Sequence, residues 1–263
     1  MDVVKIFIEE RHKLIVDMVN ENKSVSVKQL ADAFDVSLAT IRKDLTTLDE
    51  AGNLHRTHGG AVAIEQDENQ FEELSSYEVR KRYNKQQKLA IAKEALKHIN
   101  PDEAIILDAS STSYELAKLL VKEDKRLIIL TNGIRTADIL KENLNLTVII
   151  VGGIVNGESN AIKGLLGEEI IDKINFDKIF FSSSGLTLDD YFTDFNLQEI
   201  QIKQKMISTA QHRFALVDSS KFDKESNTSL YDGEDLTMLI TDSDISDDVL
   251  EKYEDIFPIK VAE

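Results

Sequence analysis

The 263 residues carry 48 acidic against 31 basic side chains, a formal charge of −17, with 42% hydrophobic and 30% charged residues. That length suits one large domain or a small one plus a medium one, and the absence of cysteine excludes disulfides and thiolate metal sites. No apolar run approaches the ~20 residues needed to span a bilayer, and the start Met1-Asp2-Val3-Val4-Lys5 lacks a secretory pattern, so a cytoplasmic protein with no membrane partner is expected.

Three helices are predicted first. One runs from about Phe7 to Asn20, with Ile8, Leu14, Ile15, Met18 and Val19 as an apolar stripe. A second begins at Ser26, a capping residue, and runs from Val27 to Phe34. After the break Asp35-Val36-Ser37, Ser37 caps a third helix from Leu38 to about Ala51, which stops at Gly52. Leu38, Ile41, Leu45 and Leu48 share one face of that helix. Residues 54–64 then read as two short strands around the Gly59-Gly60 turn, a wing. The acidic, polar stretch 65–76 is expected to link residues 1–64 to a second domain, 77–263. The basic run from Tyr77, with Leu89, Ile91, Ala92, Ala95 and Leu96 at helical spacing, is expected to open that domain as a helix.

From Glu103 onward, apolar runs alternate with helical patterns. Strands are predicted at Ala104–Asp108, Leu127–Thr131, Thr147–Val151, Lys178–Ser182, Phe214–Asp218 and Thr237–Thr241. Runs apolar on both faces and separated by helices imply a mostly parallel, open α/β sheet covered on both sides.

Two helices joined by a short turn place the second in the DNA major groove. The face opposite the apolar one carries Ala39, Thr40, Arg42, Lys43, Thr46 and Thr47. Ala31 is small enough for a tight helix crossing. Lys28, Gln29, Ser37, Leu38, Ala39, Thr40, Arg42 and Lys43 are the candidate DNA contacts, with Arg56 and His58 on the wing. The −17 charge does not exclude nucleic acid, because it is uneven. Residues 223–263 hold thirteen Asp/Glu and three Lys, a net of −10, whereas residues 80–97 hold seven Lys/Arg and one Glu.

The run 36–45, followed by Leu48, Gly52, Leu54 and Arg56-Thr57-His58-Gly59-Gly60-Ala61, resembles the signature of the DeoR family of bacterial repressors. Lys43 stands where that family often has a second Arg, which keeps the charge and loses a bidentate contact.

In the second domain, small polar residues and glycines follow the strands. These are Asp108-Ala109-Ser110-Ser111-Thr112, Thr131-Asn132-Gly133, Gly152-Gly153, Ser182-Ser183-Ser184-Gly185 and Asp218-Ser219-Ser220-Lys221-Phe222. In an open parallel sheet, ligands bind outside the carboxyl ends of the strands, and hydroxyls at a helix start suit a phosphate. Candidate effector contacts are therefore Asp108, Ser110, Ser111, Thr112, Thr131, Asn132, Gly152, Gly153, Gly185 and Lys221, with Lys221 supplying charge.

The same clusters, with Gly164, Asp177 and Lys203-Gln204-Lys205-Met206, resemble the family's C-terminal domain over about residues 75–260. That resemblance implies the fold of the sugar-phosphate isomerase and CoA-transferase superfamily, and a phosphorylated sugar or polyol as ligand. Ala109 departs from the family's usual Gly.

The expected function is a non-enzymatic, ligand-responsive repressor of a sugar or polyol operon, binding double-stranded DNA as a homodimer or homotetramer. Two alternatives stand beside it. One is an isomerase-like enzyme, for which Asp108 and Glu199 are the available carboxylates while His98 and His212 fall on predicted helices. The other is a ligand-independent DNA-binding protein. No nucleotide-binding glycine motif is present, and neither a metal nor a cofactor is expected.

Overall fold

A computed structural model describes residues 8–22, 24–57, 59–62, 77–156, 159–189 and 191–263. The chain divides into two compact units, Met1–Gln86 and Gln87–Glu263. The expected linker 65–76 lies outside the described residues.

In the first unit, α1 (Ile8–Asn22), α2 (Val27–Phe34) and α3 (Leu38–Glu50) pack around Ile15, Val19, Leu30, Ala31, Ile41, Leu45 and Leu48. The N-terminus of α2 is closed by a capping box. The Gln29 backbone N–H donates to Ser26 Oγ at 3.2 Å, and the Ser26 N–H donates to Gln29 Oε1 at 2.8 Å. Asp35 adopts a left-handed conformation (φ 50°) and ends α2. Ser37 caps α3 by accepting from the Thr40 N–H at 3.1 Å.

The wing has three strands rather than two. β1 (Ser24–Ser26) is too short for a periodicity to reveal it. It pairs antiparallel with β3 (Gly60–Val62), which in turn pairs with β2 (His55–Arg56). Gly60 permits that pairing, because a Cβ there would lie 2.1 Å from the Val25 carbonyl oxygen. Two apolar expectations fail in this unit. Ile8 and Leu14 face solvent, and Leu38 is 45% exposed because it sits in the first turn of α3, ahead of the helix crossing.

The basic run from Tyr77 forms two helices rather than one, α4 (Tyr77–Arg82) and α5 (Lys85–Leu96), interrupted at Asn84 with φ 50°. The second unit is built on a seven-stranded sheet of β4 (Ala104–Leu107), β5 (Leu127–Thr131), β6 (Leu146–Ile150), β7 (Lys178–Phe181), β10 (His212–Leu216), β12 (Leu236–Asp242) and β13 (Ile259–Ala262). The spatial order is β13-β12-β10-β7-β4-β5-β6, with every pairing parallel. Two apolar clusters cover its faces. One is centred on Phe176, Phe181, Phe192 and Tyr253, the other on Ile91, Leu116, Phe180 and Phe214. Burial of both faces explains why these strands read as continuous apolar runs.

The helices are α6 (Ser111–Leu120), α7 (Ile134–Leu140), α8 (Leu197–Thr209) and α9 (Asp247–Glu254). A second small sheet, unanticipated from sequence, pairs β8 (Gly185–Thr187), β9 (Tyr191–Asp194) and β11 (Thr228–Tyr231) antiparallel in the order β11-β9-β8. Among the described residues no helix is long and apolar enough to cross a membrane.

Candidate functional site

The outer face of α3 presents Ala39, Arg42, Lys43 and Thr47 to solvent, with Thr40 and Thr46 half-buried and Leu38 beside them. The Thr46 and Thr47 hydroxyls donate back to the Arg42 and Lys43 carbonyls, at 2.8 and 3.2 Å. That leaves the two cationic side chains as the projecting groups of the helix. Thr40 is engaged by Ser37, with the two hydroxyl oxygens 2.9 Å apart. Gln29 is likewise engaged in the capping box, while Lys28 is exposed in the first turn of α2. On the wing Arg56 is exposed, its backbone N–H held by Asp49 Oδ1 at 2.9 Å. His58 lies outside the described residues.

Sequence reasoning missed Asp44. It sits on the inner side of α3 and accepts from Arg11 Nε at 2.8 Å and Arg11 Nη2 at 3.2 Å, with His12 Nε2 3.0 Å away. Burial alone would raise the Asp44 carboxyl. Hydrogen bonds from Arg11 and His12 outweigh it and hold the group below the usual carboxylate value. This pair fixes the position of α3 against α1. A charged residue between Ile41 and Leu45 on the inner face was the signal for it.

In the second unit the chain runs outward from β4 to β5 and β6, then returns to β7 on the other side of β4. The carboxyl ends of β4 and β7 therefore flank a topological switch point, where open α/β sheets form a ligand crevice. Asp108, fully buried, stands there. Its Oδ1 accepts from the Ser110 N–H at 3.2 Å, Ser110 Oγ at 2.6 Å and Ser113 Oγ at 2.5 Å. Its Oδ2 accepts from the Ser182 N–H at 3.1 Å, which ties the end of β7 to the end of β4.

Lys203 of α8 enters the same place. Its Nζ is 2.8 Å from Asp194 Oδ2, 3.3 Å from Asp108 Oδ2, and donates to the Ser182 carbonyl at 3.0 Å. Burial would push this ammonium down, but the charges of Asp194 and Asp108 outweigh it and hold it well above the ordinary lysine value. One helical turn earlier, Glu199 pairs with Lys163 at 3.2 Å. The cations at this edge thus include Lys203 and Lys163, in addition to the expected Lys221, which is half-buried on the turn after β10. Among the described residues no group of three or more His, Asp or Glu is arranged to hold a metal ion.

Other expected contacts have structural duties. Ser110 caps α6, and the Thr131 hydroxyl accepts from the Gly133 N–H at 3.0 Å. Gly153 passes the Lys163 backbone so closely that a Cβ would meet its carbonyl oxygen at 2.6 Å, and Gly152 is approached by Gly167. Gly185 lies buried in β8, where a Cβ would be 2.2 Å from the Lys224 carbonyl oxygen. Ser111 and Thr112 are buried in the first turn of α6. Asn132 donates Nδ2 to the Ile162 carbonyl at 3.2 Å, while among the described residues its Oδ1 and Ser183 Oγ are buried without a partner.

The sequence matches the family described as DeoR-like helix-turn-helix domain over residues 11–67, and that described as DeoR C terminal sensor domain over residues 83–243. It is 38% identical to the transcriptional regulator GolR of Listeria innocua serovar 6a over 97% of this chain and 98% of that protein. It is 34% identical to the L-fucose operon activator of Haemophilus influenzae over 92% and 95%. Among solved structures, ribose 5-phosphate isomerase A of Methanocaldococcus jannaschii matches at a TM-score of 0.41 and 16% identity, over 53% of this chain and 55% of that one. A likeness at that level bears on neither ligand nor chemistry. With both halves of the chain accounted for by matching domains, and relatives spanning nearly all of it, the chain belongs to the DeoR family of helix-turn-helix transcriptional regulators.

Proposed function

We propose that this chain represses a sugar or polyol operon, binding its operator as a homodimer or homotetramer in the cytoplasm and changing its operator affinity when a phosphorylated sugar binds the second unit. In this reading residues 1–64 contact DNA, residues 65–76 are the linker and residues 77–263 sense the ligand. The observation that carries it is the side-chain cluster at the switch point of the sheet. Asp108, Lys203 and Asp194 converge there, and Asn132 Oδ1 and Ser183 Oγ, which follow β5 and β7, are buried with no partner among the described residues. A buried polar atom left unpaired costs roughly 1–3 kcal/mol, so a ligand hydroxyl that met either atom would recover it. The start of α6 and Lys221 are suited to the phosphate.

The same geometry favours sensing over catalysis. A general base needs a carboxylate free to take a proton. Here Asp108 accepts from three donors at one oxygen alone, and Glu199 is paired with Lys163. Repression is the polarity implied by the family resemblance. An operon activator among the relatives makes that polarity a point for experiment.

The test is a screen of phosphorylated sugars by thermal shift, followed by operator binding with and without each hit. A ligand that binds only the native state raises the melting temperature. A hit that stabilises the protein and alters operator affinity supports the reading. Turnover of a sugar phosphate, lost in Asp108→Asn, would favour the enzyme instead.

A further inference from the structure

Strand β6 ends the seven-stranded sheet, and several large apolar side chains around it are exposed. Ile150 is 46% exposed, Ile154 41%, Val155 53%, Leu165 39% and Leu166 80%. These residues lie on adjoining chain segments. Ile154 and Lys163 exchange backbone hydrogen bonds at 2.9 Å in both directions, and a Cβ on Gly167 would lie 2.4 Å from the Gly152 carbonyl oxygen. Ile150 immediately precedes that arm at the end of β6.

Residues 146–156 contain no charged side chain, in a chain that is 30% charged and carries −17. On the neighbouring stretch 160–167 the single charge is Lys163, which is paired with Glu199. Exposed edge strands in stable monomers are normally guarded by charge or proline, and β6 has neither.

We propose that the β6 edge, with the apolar arm Ile154–Val155 and Leu165–Leu166, is the self-association face of this protein, and that its occupant is a second copy of this chain. This rests on the homo-oligomer reading above and adds the surface. Two copies of charge −17 repel one another over most of their surfaces, and the uncharged stretch 146–156 is where they can meet with little repulsion, with Glu168 and Glu169 at its border beyond Gly167. An edge strand and an apolar arm presented twice about a two-fold axis are self-complementary, as an isologous contact requires. A helix-turn-helix protein on paired half-sites needs such a partner.

The experiment measures mass by light scattering at micromolar concentration for the full chain and for Val155→Glu/Leu166→Glu, with Ile256→Glu as control. Ile256 is also exposed, at 42%, but precedes β13, at the opposite edge of the sheet. Wild type and control are expected to be dimeric or larger, with self-association in the double variant weakened by about tenfold or more and its circular dichroism unchanged. Because the chain has no cysteine, Leu166→Cys with a short thiol crosslinker offers a second readout that leaves the fold intact. It is expected to yield covalent dimers, and Ile256→Cys is not. A monomeric wild type overturns both the face and the oligomer reading. A dimeric wild type whose double variant associates as tightly, with no Leu166→Cys crosslink, overturns the face alone.

Discussion

Lys203 Nζ lies 2.8 Å from Asp194 Oδ2, with both side chains almost wholly buried, and Asp108 completes the cluster at 3.3 Å. One cation thereby holds together the end of β4, the end of β9 and the middle of α8. Breaking a buried pair by removing one partner strands the remaining charges, at a cost of about 3–5 kcal/mol. Lys203→Met is expected to lower the unfolding free energy of the second unit by that amount in a denaturant titration. Lys203→Arg, which keeps the charge, is expected to lose less.

Arg42 is exposed on the outer face of α3. Arg42→Ala is expected to weaken operator binding by about 1–3 kcal/mol, the worth of a side-chain contact to a base edge, while leaving the melting temperature unchanged. Fluorescence anisotropy on an operator duplex reads the first, calorimetry the second. For Lys43, a phosphate contact predicts a salt slope smaller by about 1 in Lys43→Ala. An unchanged slope would remove Lys43 from the interface.

Asp44 makes the first unit acid-sensitive. Its pKa is held below the unfolded value by Arg11 and His12, against the effect of burial. A depressed carboxylate contributes stability that is present above the unfolded pKa and is lost as pH falls through the folded one. Wild type should therefore lose stability as pH falls below about 5, where the unfolded carboxyl begins to protonate. Asp44→Asn should be less stable near neutrality and flatter across that acid range, as followed by thermal unfolding.

The wing depends on Gly60. With the Val25 carbonyl oxygen 2.1 Å from any Cβ placed there, Gly60→Ala must push β1 and β3 apart. Overpacking of this kind costs typically about 1–3 kcal/mol. The melting temperature of the first unit and operator affinity should fall together, since Arg56 lies on the strand paired with β3. Gly59→Ala, whose Cβ would meet nothing within 4 Å, is the control.

The parts of this molecule that were legible in sequence are those governed by local rules. Ser26 with Gln29 and Ser37 with Thr40 announce their helices because a cap acts within three residues. The strands β4, β5 and β7 announce themselves because burial on both faces makes all but Thr131 and Lys178 apolar. The small sheet was not legible, because Gly185–Thr187 and Tyr191–Asp194 are too short and too polar to set a period, and their pairing with Thr228–Tyr231 is non-local. Lys203 is a similar case. The run Lys203-Gln204-Lys205-Met206 stood out by resemblance, but nothing in the local sequence shows a lysine buried against Asp108, 95 residues away. Lys221, chosen as the cation because it follows a strand, is therefore only part of the charge at that edge.

The central claim is that the crevice and the DNA-reading face belong to one switch. A ligand moves operator affinity only through different affinities for two states of the protein. The direct measurement is operator affinity of wild type and Asp108→Asn across a titration of the phosphorylated sugar that stabilises wild type most in the thermal screen. The account predicts that wild-type affinity shifts several-fold and saturates with the ligand, whereas Asp108→Asn binds the same operator with little or no response. Operator affinity of wild type that stays constant at saturating ligand, or a full response in Asp108→Asn, would contradict it.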